Sequence, residues 1–277
     1  MQRNKIGVGI ITCDRENFFK KAIESLTKAL KEYPEHELIV INDGTTPIHS
    51  DEYQVVNTGG KIGVGRAKNY ALHHLSNKIR KCEHIFLMED DIEITNPDVF
   101  NLYIKAAQET GVKHLNFGLH GNHNLDLAKN PIKRKIINYP SNLKLALYPN
   151  ILGAFSYYHI DTLHSVGVMD EQFYNALEHV DHTYQIIKAG YHPPFRWFAD
   201  VDGAENYLKD IVPDHQESKI RSQEDFMKNF MENHERFMKK NGFSVLAGIG
   251  TPENEYSEEE VLQKLKEIWK SHQQISE

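Results

Sequence analysis

Cysteine is almost missing from this chain. Its 277 residues include two, Cys13 and Cys82. Neither belongs to a C-x-x-C pair, so the pattern argues against a disulfide framework or a thiolate zinc site and leads us to expect a reducing, cytoplasmic setting. No apolar run approaches the roughly 18 residues that a bilayer span requires. The short run ending at Ile11 leaves no room for a leader's apolar region and cleavage site; peripheral membrane contact stays compatible with the sequence. Positive charge is also scarce. A net charge of −7 argues against a protein that coats nucleic acid, because phosphate binding needs a clustered basic surface. Basic residues are dispersed except for Lys133-Arg134-Lys135, read as a solvated loop. Internal repeats and low-complexity tracts are absent. So are the best-known phosphate loops. Gly63-Val64-Gly65-Arg66-Ala67-Lys68 lacks the third glycine of the dinucleotide fingerprint, Gly7-Val8-Gly9 runs on to Thr12, and no Gly-Lys-Ser/Thr closes either run. A dinucleotide-binding dehydrogenase and a P-loop kinase are therefore disfavoured.

What is present is a sizeable core, with 40% hydrophobic and 26% charged residues, enough for one large domain or one domain with an extension. Strand and helix patterns alternate over the first hundred residues. Ile6 to Ile11 reads as a buried strand. Asp14 can cap the next helix, whose apolar positions Phe18, Ala22, Ile23, Leu26 and Leu30 recur at helical spacing. Strands follow at Glu37 to Ile41, Tyr53 to Val56 and His84 to Met88, with a helix from about Gly65 to Ser76 and another opened by Pro97. This alternation predicts an α/β fold with a mostly parallel central sheet and helices on both faces. Beyond it, Lys113 to Phe117, Leu143 to Leu147 and Leu152 to Tyr158 read as strands, and Gly118 to Pro131 as a loop. Helices are expected near Asp161 to Val166 and Ala176 to Ala189. Sheet signals fade after Trp197, where Ser222 to Lys240 and Ser257 to Ser271 form a helical C-terminal extension. The expected division is a core domain over 1–205 and an extension over 206–277.

Four loops follow predicted strands, and a parallel sheet gathers them at one edge. They are Thr12-Cys13-Asp14-Arg15, Asn42-Asp43-Gly44, Gly59 to Asn69, and Glu89-Asp90-Asp91. The last places three adjacent acids at the end of an apolar strand, where a hard divalent cation with a phosphate attached suits acidic oxygens; the ordinary alternative is a solvated turn. Asp43 can accept a hydrogen bond from a base edge. Arg15, Arg66 and Lys68 can meet phosphate oxygens, and Gly63 and Gly65 permit close backbone approach before a helix N-terminus, although a tight turn alone would also use them.

The order Thr-x-Asp-Arg, Asn-Asp-Gly, Gly-x-Gly-x-Ala-Lys-Asn, Glu-Asp-Asp resembles a GT-A fold glycosyltransferase of the family-2 type, over about residues 5 to 200. The resemblance implies a nucleotide-sugar donor, expected to be a UDP-sugar, and a hydroxyl acceptor on a glycan or another molecule, with Mn²⁺ or Mg²⁺ and inversion of configuration. It assigns the donor site to Thr12, Asp14, Arg15, Asp43, Gly63, Arg66, Lys68, Asn69, Glu89 and Asp90. The triplet is similar to the acidic motif of N-acetylglucosaminyltransferase I, whose last Asp binds the metal. That makes Asp91 the ligand here, with His215 implied as a further one by position. Where the family has Glu-Asp-x-Asp and draws its base, this chain has Glu178-His179-Val180-Asp181. His179, Glu178 and Asp181 all stay open as the base; the acids also suit a helix N-terminus through its dipole.

Histidine is plentiful, at 16 residues, but His120-x-x-His123 lacks a third ligand in sequence for zinc. Two rival functions remain: a sugar-phosphate nucleotidyltransferase, whose glycine-rich loop would follow the first strand, and a GT-A domain that binds without turnover.

Overall fold

The computed structural model describes residues 5–79, 82–211, 224–246 and 256–276. In chain order its elements are β1 (Ile6–Thr12), α1 (Glu16–Leu30), β2 (Glu37–Asn42), β3 (Gln54–Asn57), α2 (Val64–Leu75), β4 (His84–Glu89), β5 (Ile92–Ile94) and α3 (Val99–Thr110). There follow β6 (His114–Asn116), β7 (Lys135–Asn138), β8 (Lys144–Tyr148), β9 (Phe155–His159), α4 (Ile160–Val166), α5 (Glu178–Lys188), β10 (Phe198–Val201), β11 (Leu208–Asp210), α6 (Phe226–Asn241) and α7 (Glu258–Ser276). A six-stranded sheet runs β3-β2-β1-β4-β9-β6. Its first four strands are parallel, and β9 is antiparallel to both neighbours. Beside it stand a three-stranded sheet, β10-β8-β7, and a pair, β11-β5. The fold is α/β with a mostly parallel centre, as the alternating pattern predicts.

Strand periodicity divides the interior into two layers. From β4, Phe86 and Met88 enter the core shared with α1 and α3, while Ile85 and Leu87 enter the one under α2. Gly7 and Gly9 of β1 face α2. A Cβ on Gly9 would lie 2.6 Å from that of Ala71, and one on Gly7 2.9 Å from the Cys82 sulfur. Their chemistry is therefore close helix–sheet packing. A third cluster joins α5, β10 and α6 through Phe195, Phe198, Phe237 and Phe243, and Val261 and Leu265 of α7 reach the main core.

Several local expectations are corrected. Asp14 does not cap α1: its backbone is left-handed (φ 52°) and its carboxylate accepts from the Thr45 amide at 2.8 Å. In α1 it is Phe19 that is buried, while Phe18 lies under the Arg15 guanidinium. Pro97 precedes α3, whose N-cap is Asp98. The basic run at 133–135 is not a free loop. Lys133 pairs with Asp202 at 2.9 Å, Arg134 stacks over Trp197, and Lys135 opens β7 and pairs with Glu258. Strand structure also continues past Trp197, as β10 and β11, in runs too short to carry a period-two signal. Helix α5 starts at Glu178, because Leu177 before it is left-handed (φ 65°).

Parallel alignment brings the carboxyl ends of β1, β2 and β4 to one edge, with Thr12 opposite Asn42 and Ile11 opposite Glu89. Antiparallel β9 begins at that same edge, where the Glu89 amide donates to the Ala154 carbonyl at 2.7 Å.

Candidate active site

A cavity of about 650 Å³ opens at this edge. Its wall draws on the loops after β1, β2 and β4, the segment before β9 and the turn into α5. The acidic triplet forms one side, and its mutual repulsion is resolved inside the protein. Asp90 accepts from the Thr12 hydroxyl at 2.6 Å and pairs with Arg15, which also reaches Asp91 Oδ2 at 3.1 Å. Glu89 lies 2.7 Å from the Lys68 ammonium. Burial pushes the Asp90 carboxyl up to about 7, assisted by its neighbour Asp91 and opposed by Arg15 and Thr12. For Arg15, burial works against the charge, but Asp90 and Asp91 outweigh it and raise the guanidinium above its ordinary value.

One atom of the triplet has no partner. Asp91 Oδ1 is buried without a hydrogen bond, and a carboxylate oxygen left so is costly unless it meets a cation or donor. No group of three His, Cys, Asp or Glu side chains able to hold a metal forms among the described residues. The donor set therefore suits a hard ion held by one carboxylate together with substrate phosphates, the habit of Mg²⁺ and similar ions. On that basis the residues fit the expected metal.

Across the cavity, the strained turn with Asn175 and Leu177 both left-handed (φ 56° and 65°) delivers Glu178 and His179 to the wall. Glu178 is 3% exposed. Its Oε1 lies 3.0 Å from His179 Nδ1 and 3.5 Å from Lys68 Nζ. Burial would raise the Glu178 carboxyl, but His179 and Lys68 hold it down at about 2. An ionised carboxylate only accepts, so Nδ1 carries a proton, and in the neutral imidazole the lone pair is then on Nε2. His120, which sequence reasoning weighed only for zinc, also lines the cavity. Its Nδ1 is 3.2 Å from Asp210; burial lowers this imidazole, but Asp210, Asp91 and Glu89 together raise it to about 9.

The structure distributes the sequence-predicted residues unevenly. Thr12, Asp14, Arg15, Asp43, Glu89, Asp90, Asp91, Glu178 and His179 line the cavity. Asp43 accepts from the Ile62 and Gly63 amides at 2.8 and 3.0 Å and so shapes the glycine loop as well. Other residues do different work. Arg66 is exposed, 3.6 Å from Glu171, and Asn69 is buried against the Met169 backbone. Lys68 is spent on Glu89 and Glu178. Gly63 and Gly65 admit close approach, but to protein: a Cβ at Gly63 (φ 98°) would strike the Tyr174 ring at 2.8 Å, and one at Gly65 would lie 3.1 Å from Glu178 Cβ. Asp181 points away, held by Lys240 at 2.8 Å and Asn241 at 2.9 Å. His215 lies outside the described residues. Missed from sequence was Lys61, whose exposed ammonium lines the cavity; it carries no signal beyond its place in a loop.

The acidic triplet at the parallel sheet edge and the carboxylate–imidazole pair thus share one cavity. The family model for glycosyl transferase family 2 matches residues 7–157, and the chain belongs to that family: it is a glycosyltransferase with the GT-A fold. Among solved structures, TarS 1-349 of S. aureus in complex with UDP-GlcNAc is 15% identical, with TM-score 0.51, covering 97% of this chain and 72% of that one. The mannosyltransferase PcManGT from Pyrobaculum calidifontis, in complex with GDP-Man and Mn²⁺, is 13% identical with TM-score 0.48, covering 69% and 54%. A Drosophila β-1,4-galactosyltransferase 7 mutant, in complex with manganese, UDP-Gal and xylobiose, is 13% identical with TM-score 0.47, covering 80% and 76%. The chain spans 34% of a longer TarS chain that it also matches. No curated protein gives a significant sequence match. No helix among the described residues is long and apolar enough to cross a membrane.

Proposed function

We propose that this glycosyltransferase moves a sugar from a UDP-sugar to a hydroxyl of a glycan or other acceptor, with Mn²⁺ or Mg²⁺ and with inversion. The observation that carries the reading is the buried, unpartnered Asp91 oxygen on the wall of the same cavity as the free Nε2 of His179. Asp91 would hold the ion. When bound, the ion supplies positive charge against the departing diphosphate. Arg15 and Thr12 fix the acids in place, so that Asp91 is aimed before the donor arrives. Asp43, which also holds the Ile62 and Gly63 amides, would accept from the base edge of the nucleotide. His179 takes the proton of the attacking hydroxyl at Nε2, while Glu178 anchors its Nδ1–H and offsets the imidazolium that forms. A single displacement by a hydroxyl activated from the side opposite the leaving group inverts the anomeric centre.

The test is a thermal-shift panel of UDP-GlcNAc, UDP-Gal and GDP-Man, each with Mn²⁺ and with EDTA, followed by measurement of UDP release. By mass action the true donor gives the largest metal-dependent shift. Asp91→Asn, which keeps the shape but removes the charge, is expected to abolish that shift and to slow UDP release at least about 100-fold. A variant that keeps both the shift and the turnover overturns the metal assignment. Binding with no turnover toward any acceptor would instead favour the domain that only binds.

A further inference from the structure

The cavity has two working walls, and one buried side chain joins them. Lys68, on α2, is 1% exposed and lies behind the cavity surface. Its Nζ stands 2.7 Å from Glu89, 3.5 Å from Glu178 and 3.1 Å from the Gly153 carbonyl. Glu89 belongs to the acidic triplet. Glu178 in turn holds His179 Nδ1 at 3.0 Å. An unbroken series of charged contacts therefore runs from the triplet through Lys68 to the imidazole. Burial disfavours the ammonium, but Glu89 and Glu178 outweigh it and keep Lys68 protonated. Gly153 confirms how closely the parts are fitted: a Cβ there would lie 3.0 Å from both Lys68 Nζ and His179 Cγ.

We propose that Lys68 is a positioning residue: its ammonium, shared between Glu89 and Glu178, fixes the Glu178 carboxylate and through it the orientation and tautomer of His179. A buried carboxylate with one cationic partner can rotate toward it or away. Lys68 and His179 meet the same oxygen of Glu178, Oε1, and two partners on that oxygen leave the carboxylate one orientation. The same ammonium ties the position of Glu178 to Glu89, so the donor wall and the acceptor wall are set relative to each other. The catalytic meaning of this link rests on His179 being the base, but the link itself does not.

Ring ¹⁵N NMR of the histidines in the free 277-residue chain tests it, with His179→Gln identifying the His179 signals by subtraction. In the wild type, and in Lys68→Arg, those signals should show one tautomer with Nδ1 protonated. In Lys68→Met they should move toward a tautomer average, and Glu178→Gln should move them as far, with no further change in the double variant, because the two residues act in series. Lys68→Gln keeps a polar side chain without the charge; it should move the same signals in a chain with native circular dichroism, which keeps the test alive if Lys68→Met fails to fold. His179 signals unchanged in a folded Lys68→Met or Lys68→Gln overturn the proposal. If the signals move but His179→Gln still releases UDP at the wild-type rate, the link stands and His179 is not the base.

Discussion

His179 and Asp181 stand two positions apart on one helix, and their surroundings give them opposite jobs. His179 is partly exposed to the cavity, with one ring nitrogen held by an ionised Glu178. Asp181 is 1% exposed and turned to Lys240 and Asn241. A base needs a lone pair that faces the cavity, and of the two only His179 lines it. His179→Gln is accordingly expected to lower UDP release by about 10²–10⁴-fold while leaving the Mn²⁺-dependent thermal shift of UDP intact. Wild-type turnover in that variant would place the base elsewhere. The acids and the histidine were legible in the sequence because adjacent carboxylates, and a histidine where the family has an acid, stand out in any context. Their partners were not. Arg15 and Lys68 read as phosphate ligands, since nothing local says that a cation will meet a carboxylate 75 or 110 residues away.

Elements show the same division. Long buried runs announce themselves, so β1, β2 and β4 fall where their apolar spans predict, as does α1. Short strands such as β10 and β11 are set by pairing with β8 and β5 and have too few residues for a period. The start of α5 depends on a left-handed leucine that no propensity would place there. Helix α6 is fixed to α5 by the cluster around Phe237 and by the contacts of Asp181 with Lys240 and Asn241. Losing the charge of Asp181 leaves those donors short of an acceptor, at about 1.5–3 kcal/mol for bonds to a charged group. The lower part of that range applies, because Lys240 is a third exposed and keeps Asp170 at 2.8 Å. Asp181→Asn should thus lower Tm by roughly 2–4 °C per kcal/mol lost without weakening Mn²⁺-dependent UDP binding in the folded enzyme. An inactive Asp181→Asn with unchanged Tm would mean that Asp181 acts in the chemistry.

For the whole molecule, the buried titratable groups decide how stability follows pH. Four interior histidines are held neutral. Burial drives His84 down to about 3, His192 to about 4, and His114 and His182 below the ordinary range. His192 shows why in its bonds: Nε2 accepts the Ala199 amide at 3.2 Å while Nδ1 donates to Pro193 O, so a second proton would face a donor. Because the folded values lie below the unfolded one of about 6.5, the unfolded chain binds more protons. The contribution of these four is full above that pH and is lost as pH falls toward the folded values. Two buried acids oppose them. Asp90 and Asp200 are both raised by burial to about 7, so each stabilises progressively as pH falls from there toward its unfolded value. The histidines outnumber the acids, so the chain takes up protons on unfolding and its stability falls with pH on the acid side. On the alkaline side the sign reverses. His120, raised to about 9, contributes fully below about pH 6.5 and loses that contribution as pH rises through 9. The stability maximum is expected near pH 6.5–7, where the two trends cross. Urea midpoints measured across that range should fall on both sides, and His192→Gln should reduce the acid-side slope by about one proton. A midpoint that stays flat between about pH 5 and 6.5 would mean that the histidines protonate in place and that the interior tolerates their charge.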